Sequence, residues 1–380
     1  MRLSTRISRA AALATGLQLS LLAGRSEAQA SLTVDTRLRI EIKDDGAPET
    51  DFSRLVAVHR LADGRLVTVT ASPAAVRLFD AQGRFVKTVA REGAGPNEIQ
   101  GALFATVVTR DLWVYDGAHL VRFDLGTLSE TLRVPTASAA TSHVSAVLPG
   151  ERVLQARFAP PSTFDPTKAE RLRSDLTFRV VSARDRVVAS DLGTIAGRTF
   201  LRIPSATAQS GFRTSLTRFA PQLHVTSSGG TLWIGDSGSP WLRRVDAATL
   251  RRDSIRVPIA STEWREAEIA AERSRILREV PSASERELPL AELDPRWRGE
   301  RPPFYAQLYA DFNGGLWIEA FSVNARAPRR VIVLDRAGRT VGQLDLPANF
   351  EVQEIGERHI VGVERDADGL RTIVVFPLRR

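Results

Sequence analysis

The sequence predicts an all-β fold, a six-bladed β-propeller of four-stranded antiparallel blades. Three observations carry that expectation. A strand–turn unit recurs along the chain, equivalent aspartates of its first two copies (Asp80 and Asp124) lie 44 residues apart, and a tryptophan returns at one strand position as Trp113, Trp233 and Trp317. A period of this size suits one blade, and apolar–polar alternation bounded by glycine turns marks half-buried antiparallel strands.

The first thirty residues stand apart from the repeat. Arg2, Arg6 and Arg9 form a basic start, residues 10–22 are mostly apolar, and Ala28-Gln29-Ala30 gives the small-x-small pattern cut by signal peptidase. This layout predicts a signal peptide over 1–30, export to the periplasm or beyond, and one domain over 31–380. No later stretch has the eighteen or so apolar residues that a spanning helix needs. There is no cysteine, so disulfides, thiolate metal sites and thiol nucleophiles are excluded, and a domain of roughly 350 residues must be held by its core. Of the chain's net charge of +8, residues 1–30 contribute +3. Only Lys43, Lys87 and Lys168 are lysines and no long basic run exists, which argues against nucleic acid as a partner.

The first unit runs Leu55-Val56-Ala57-Val58, Asp63-Gly64, Leu66-Val67-Thr68-Val69, Val76-Arg77-Leu78-Phe79-Asp80, Gln82-Gly83 and Phe85-Val86-Lys87-Thr88-Val89. Its second-strand landmark returns as Leu112-Trp113-Val114-Tyr115-Asp116, as Leu232-Trp233-Ile234-Gly235-Asp236 and as Leu316-Trp317-Ile318. Its third-strand landmark returns as Val121-Arg122-Phe123-Asp124, Arg244-Val245-Asp246 and Val333-Leu334-Asp335. A lengthened copy spans 142–197, and the last copy, 350–376, supplies three strands only. Residues 32–42 are expected to add the fourth, so that strands from both ends of the chain share a sheet and no edge is left bare.

Gly93-Ala94-Gly95-Pro96-Asn97-Glu98 resembles the Gly-x-Gly-Pro-x-Glu stretch of NHL-type and related six-bladed propellers, and the Leu-Trp-Ile and Phe-Asp-x-x-Gly landmarks are similar to the blades of that family. The resemblance covers most of 32–380 as a rhythm, with the Gly-Pro motif well formed once. It implies a six-bladed ring. The motif's own chemistry is that of a tight, stiffened turn, with a ligand role for Glu98 as the alternative.

Strand order sorts the connections. Turns between first and second and between third and fourth strands fall on one face and are short, as at Asp63-Gly64 and Gln82-Gly83. Those between second and third strands, and the links to the next blade, fall on the other face and carry the expected insertions at 159–175, 204–216 and 261–305. The last lies between blades four and five. It is expected to begin as a helix capped by Ser261 or Thr262, with Glu263 and Glu266 in its first turn, an apolar stripe at Ile269, Ile276 and Val280, and Arg273, Arg275 and Arg278 toward its end. Either it is a solvated excursion or it is a lid over the channel.

Chemistry is sparse. No nucleophile elbow, zinc-protease helix, phosphate loop or calcium loop occurs. His59, His143 and His224 fall on or beside innermost strands and could converge on zinc, or stand separately; His119 and His359 have no evident partner. Asp116 and Asp236 end second strands toward the elaborated face, where they cap turns or serve as ligands. The repeated tryptophans read as packing, whereas Trp241 and Trp264 break the pattern on the elaborated face and suit ligand or partner contact. The binding candidates are therefore Glu98, Asp116, His119, Asp236, Trp241 and Trp264. The function expected is that of a monomeric binding module without a cofactor, meeting a protein, peptide, glycan or other ligand on the insertion-bearing face. The alternative is a calcium- or zinc-dependent hydrolase or lyase of the lactonase-like propeller type, with its site at the channel mouth.

Overall fold

The structure, a computed structural model, describes residues 32–35, 37, 39–136, 142–158, 168–205, 208, 210–366 and 368–379. The expected signal peptide, and residues 159–167 of the third unit's insertion, lie outside the described residues.

Six antiparallel sheets follow one another along the described chain. The first comprises Leu55–Arg60, Leu66–Ala71, Ala74–Phe79 and Phe85–Glu92, with Glu98–Ile99 added in parallel. The second comprises Phe104–Val108, Asp111–Tyr115, His119–Asp124 and Ser129–Pro135. The third has five strands, Ser142–Leu148, Arg152–Phe158, Glu170–Ser182, Val188–Pro204 and Phe212–Leu216. The fourth is Leu223–Ser228, Thr231–Asp236, Trp241–Asp246 and Arg252–Arg256; the fifth is Tyr305–Ala310, Leu316–Ala320, Arg329–Leu334 and Thr340–Leu346. The sixth is Phe350–Ile355, His359–Arg365 and Arg371–Arg379, and two short N-terminal strands, Thr33–Val34 and Ile40–Lys43, both pair with its last strand.

The first strands of successive sheets touch one another, and that of the sixth touches that of the first, so the series closes on itself. The hydrophobic interior is distributed in the same cycle. Val67, Val69 and Leu78 meet Leu112, Val114 and Phe123 between sheets one and two, and analogous wedges fill each later interval. The last wedge joins Val58, Leu66 and Phe79 of the first sheet to Val361, Val363 and Ile373 of the sixth. The second strands of the second, fourth and fifth sheets are therefore covered on both faces, which is why Leu112–Tyr115, Leu232–Ile234 and Leu316–Ile318 read as unbroken apolar runs rather than alternating ones. Trp113, Trp233 and Trp317 are all buried in these runs, and Arg122 and Arg244 lie over Trp113 and Trp233 at 5.5 and 5.9 Å from the ring centres.

Two expectations about the elaborations change. Residues 170–175 belong to a strand of 13 residues rather than to a loop, and 212–216 form a fifth strand against the end of a strand of 17 residues. Polar residues sustain this extension because cross-strand partners satisfy them. Arg202 pairs with Glu170, and Arg173 donates to the Gly197 carbonyl at 2.8 Å.

Between Arg252–Arg256 and Tyr305–Ala310 lie two helices, α1 (Glu266–Glu279) and α2 (Ala283–Glu292). The helix begins later than Ser261 or Thr262 would dictate: Arg265 occupies the N-cap without a side-chain cap, and Glu266 and Glu268 stand in the first turn. The approach is held extended because Trp264 is fastened downward, its indole donating to the Gly299 carbonyl at 2.8 Å and packing on Phe219 and Phe321. Ile269 and Ile276 are buried with Phe219, Leu293 and Val323. The second helix, unforeseen, starts at Ser282, whose hydroxyl accepts from the Glu285 N–H at 3.1 Å.

Candidate functional site

A cavity of about 540 Å3 opens between the fourth and fifth sheets. Its lining includes Thr217 and Arg218 before the fourth sheet, Ser237 in that sheet's middle turn, Pro303 after the helices, and Phe321 and Asn324 in the middle turn of the fifth sheet. By strand order, these segments all belong to the face that carries the insertions. The extended third sheet adds Arg198 and Leu216 to the wall.

His224, second residue of the fourth sheet's first strand, is the central titratable group. Its Nδ1 lies 2.7 Å from Gln307 Oε1 on the neighbouring first strand. An amide oxygen only accepts, so the ring proton sits on Nδ1 and Nε2 is left as an acceptor. Burial brings His224 down to about 4, against the Gln307 hydrogen bond and with help from the Arg198 charge, so the ring is neutral at neutral pH. Nε2 is enclosed and has no hydrogen-bond partner among the described residues. The ring centre of Tyr305 is 5.4 Å away, and the Tyr305 hydroxyl is likewise buried and without a partner among the described residues. Burial first, and the Asp236 charge second, push that phenol far above its ordinary range. Gly235 makes room for it, since a Cβ there would collide with the hydroxyl and with Leu242. Each enclosed polar atom left unsatisfied costs on the order of 1–3 kcal/mol.

The rest of the wall is ionic but mostly committed. Arg329 stands 3.2 Å from Glu319, which also accepts from the Tyr309 hydroxyl at 2.9 Å. Arg218 donates to the carbonyls of Ser322 (3.0 Å) and Val323 and reaches Glu272 of α1 at 3.4 Å; burial pulls its pKa down. Glu292, at the end of α2, is buried beside it, and burial pushes its carboxyl up to about 7 in spite of Arg218 and Thr217. The helices are thus tied directly to the cavity wall. Arg198 has no hydrogen-bond or ion-pair partner among the described residues.

The residues expected from sequence are dispersed. Glu98 turns back on its own motif, accepting from the Gly95 N–H at 2.8 Å and pairing with Arg91 at 3.2 Å, and a Cβ at Gly93 would collide with it. Asp116 caps the turn it ends, accepting from the N–H groups of Ala118 (2.9 Å) and His119 (2.5 Å), and His119 Nδ1 is 3.7 Å from it. Asp236 lies beside the cavity, accepting from Arg173 at 2.7 Å and acting electrostatically on Tyr305 and His224. Trp264 lies behind Phe321, in the packing that anchors α1. Trp241 is 56% exposed at the start of the fourth sheet's third strand. His143 lines a separate cavity of about 320 Å3 between the second and third sheets. His59 and His359 instead flank one carboxylate: Glu354 Oε2 is 2.8 Å from His59 Nδ1 and Oε1 is 2.9 Å from His359 Nε2. Burial opposes ionisation of Glu354, but the two imidazoles outweigh it and bring the group to about 2. Among the described residues, no three His, Asp or Glu side chains are grouped as metal ligands. Of the cavity's own residues, only His224 stood out in the sequence. Tyr305, Arg198 and Arg218 carry no spacing signal, because the fold alone brings their segments together.

No known family model matches the chain, and no curated protein matches it in sequence. Solved structures do resemble it in fold. A member of the DUF4221 family from Bacteroides vulgatus superposes with a TM-score of 0.52 at 10% identity, over 92% of this chain and 99% of that one. A protein of Bacteroides fragilis whose name describes it as exported gives 0.51 at 10% identity, over 93% and 97%. A streptogramin B lyase superposes more loosely, at 0.41 and 10% identity, over 92% and 100%. Sheets built on antiparallel strands, four or five to a sheet, in a closed cycle and wedged apart by apolar cores define the fold as that of a β-propeller.

Proposed function

We propose that this protein is an exported, single-domain, six-bladed β-propeller that binds a small molecule in the cavity between its fourth and fifth sheets. The six consecutive sheets and six wedge cores support the blade count, and the two helices between the fourth and fifth sheets are the insertion that backs the cavity wall. The turn at 93–98 supports a place near NHL-type propellers. Export rests on the basic, apolar and Ala28-Gln29-Ala30 segments, and on the fold shared with a protein named as exported. N-terminal sequencing of the protein recovered from the periplasm is expected to begin at Ser31.

The observation that carries the binding reading is a cavity of about 540 Å3 on the built-up face, lined by the buried imidazole of His224 and by Arg198, which is exposed and has no partner among the described residues. Concave, largely apolar sites of several hundred Å3 with a few convergent polar groups suit small ligands better than flat protein partners. A thermal-shift screen tests it. At least one compound is expected to raise the melting temperature of the wild type and not that of Ala306→Trp, whose indole fills the cavity. A screen in which every stabilising compound acts equally on both proteins would remove the cavity from the account.

A further inference from the structure

We propose that the cavity takes an amphipathic organic anion, its acid group held by Arg198 and its apolar body lying along Leu216 and Phe321. The inference rests on the cavity being a ligand site, and it adds the chemistry of the ligand.

Charge is the first argument. The lining contains three guanidinium groups, Arg198, Arg218 and Arg329, against one carboxylate, Glu319. Arg329 is spent on Glu319, and Arg218 on two carbonyls and Glu272. Arg198 is not spent on anything among the described residues, and it is exposed. Its charge reaches both inner-strand imidazoles, making protonation of His143 and of His224 harder. An added anion at this mouth meets a free planar donor fork suited to carboxylate or sulfonate oxygens.

Shape and polarity supply the second argument. Leu216 lines the cavity and is 42% exposed; its cross-strand partner Phe200 is 39% exposed, so an apolar lip stands beside the free guanidinium. Phe321 and the small side chains Ala306, Ala320 and Ala325 line the same cavity. An inorganic anion would leave this surface wet, whereas a molecule with an apolar body covers it, at about 25 cal/mol per Å2 removed from water.

Two fluorescent probes separate the acid from the body. 1-Anilinonaphthalene-8-sulfonate is an amphipathic anion, and N-phenyl-1-naphthylamine has the same aromatic body without the sulfonate. Both are expected to bind the wild type saturably and to be lost in Ala306→Trp, or in Ala325→Trp should the first fail to fold as judged by near-ultraviolet circular dichroism. Arg198→Met is expected to weaken the sulfonate about tenfold, the worth of one charged hydrogen bond, and to leave the amine within about twofold. Arg198→Lys should recover part of the loss. Equal sulfonate affinity in wild type and Arg198→Met, with both probes still lost in the tryptophan variant, overturns the anion and leaves the cavity standing. If neither probe binds, or neither responds to the tryptophan variants, the cavity reading falls and takes the anion with it.

Discussion

His224 in the cavity wall and Glu292, buried behind that wall beside Arg218, answer to pH in opposite senses. Burial raises Glu292 from 4.5 to about 7, so the folded protein holds a proton that the unfolded chain has released, and stability from this group is lost as pH rises through about 7. Burial lowers His224 from 6.5 to about 4, so the unfolded chain takes up a proton that the folded protein refuses, and stability is lost as pH falls from 6.5 toward 4. Between pH 4.5 and 6.5 the two slopes cancel in the wild type. Glu292→Gln is expected to leave a stability that climbs with pH over this window, and His224→Gln one that declines, each tilt amounting to roughly 2–3 kcal/mol at most. Urea titrations at pH 4.5, 5.5, 6.5 and 7.5 check this; parallel profiles for the two variants would contradict it. The orientation of each side chain decides the outcome, and neither is visible in sequence, where Glu292 is one acid among many in a helical stretch and His224 is one of five histidines.

At the scale of elements, the repeat was legible because each strand reports its own surroundings. Leu232-Trp233-Ile234 can be apolar without interruption only if both of its faces are covered, and Asp63-Gly64 can only be a turn. The insertion was half legible. Ile269, Ile276 and Arg278 announce α1, and the structure buries the two isoleucines as their spacing requires. Its start was misplaced because Ser261 and Thr262 are good caps locally, while Trp264 is held by Gly299, Phe219 and Phe321, residues from segments 35 to 57 positions away. The second helix was announced by Ser282 and Glu285 at capping-box spacing and was masked by Pro289 inside it. The consequence for stability is local. Trp264→Ala removes the fastening of the helices to the cavity wall at a cost of roughly 2–4 kcal/mol. Limited proteolysis is expected to cut first within 263–300, with the strands remaining intact to later times. Cleavage spread evenly over the chain would show that the helices are not a separately fastened unit.

For the whole molecule, the decisive junction is the one between the sixth sheet and the first, where chain ends must meet. Three devices hold it: the apolar wedge of Val58, Phe79, Val361 and Ile373; the Glu354 carboxylate shared by His59 of the first sheet and His359 of the sixth; and the N-terminal strands laid on Arg371–Arg379. The carboxylate acts above pH 4.5 and fades as pH falls toward about 2, so Glu354→Gln should cost stability at pH 7 and progressively less in acid. The strands do more, because they also cover an edge. Removing 32–43 bares the ladder groups of a nine-residue strand that is largely apolar, a template for pairing with another chain. The shortened protein is expected to melt at lower temperature and to self-associate in size-exclusion chromatography. The register offers a rescue. Thr33 pairs with Arg379 and Lys43 with Thr372, so a copy of 32–43 joined after residue 380 through a two-residue Asn-Gly turn folds back as a hairpin onto the same edge. That permuted chain should run as the wild type does, without the added association, since the edge is covered. It should remain less stable than the wild type, since the peptide link from the closing strand through Phe52 into the first sheet has been cut. Recovery of full stability would mean that edge pairing alone closes the ring; persistent association would mean that the N-terminal strands act through something other than the edge they cover.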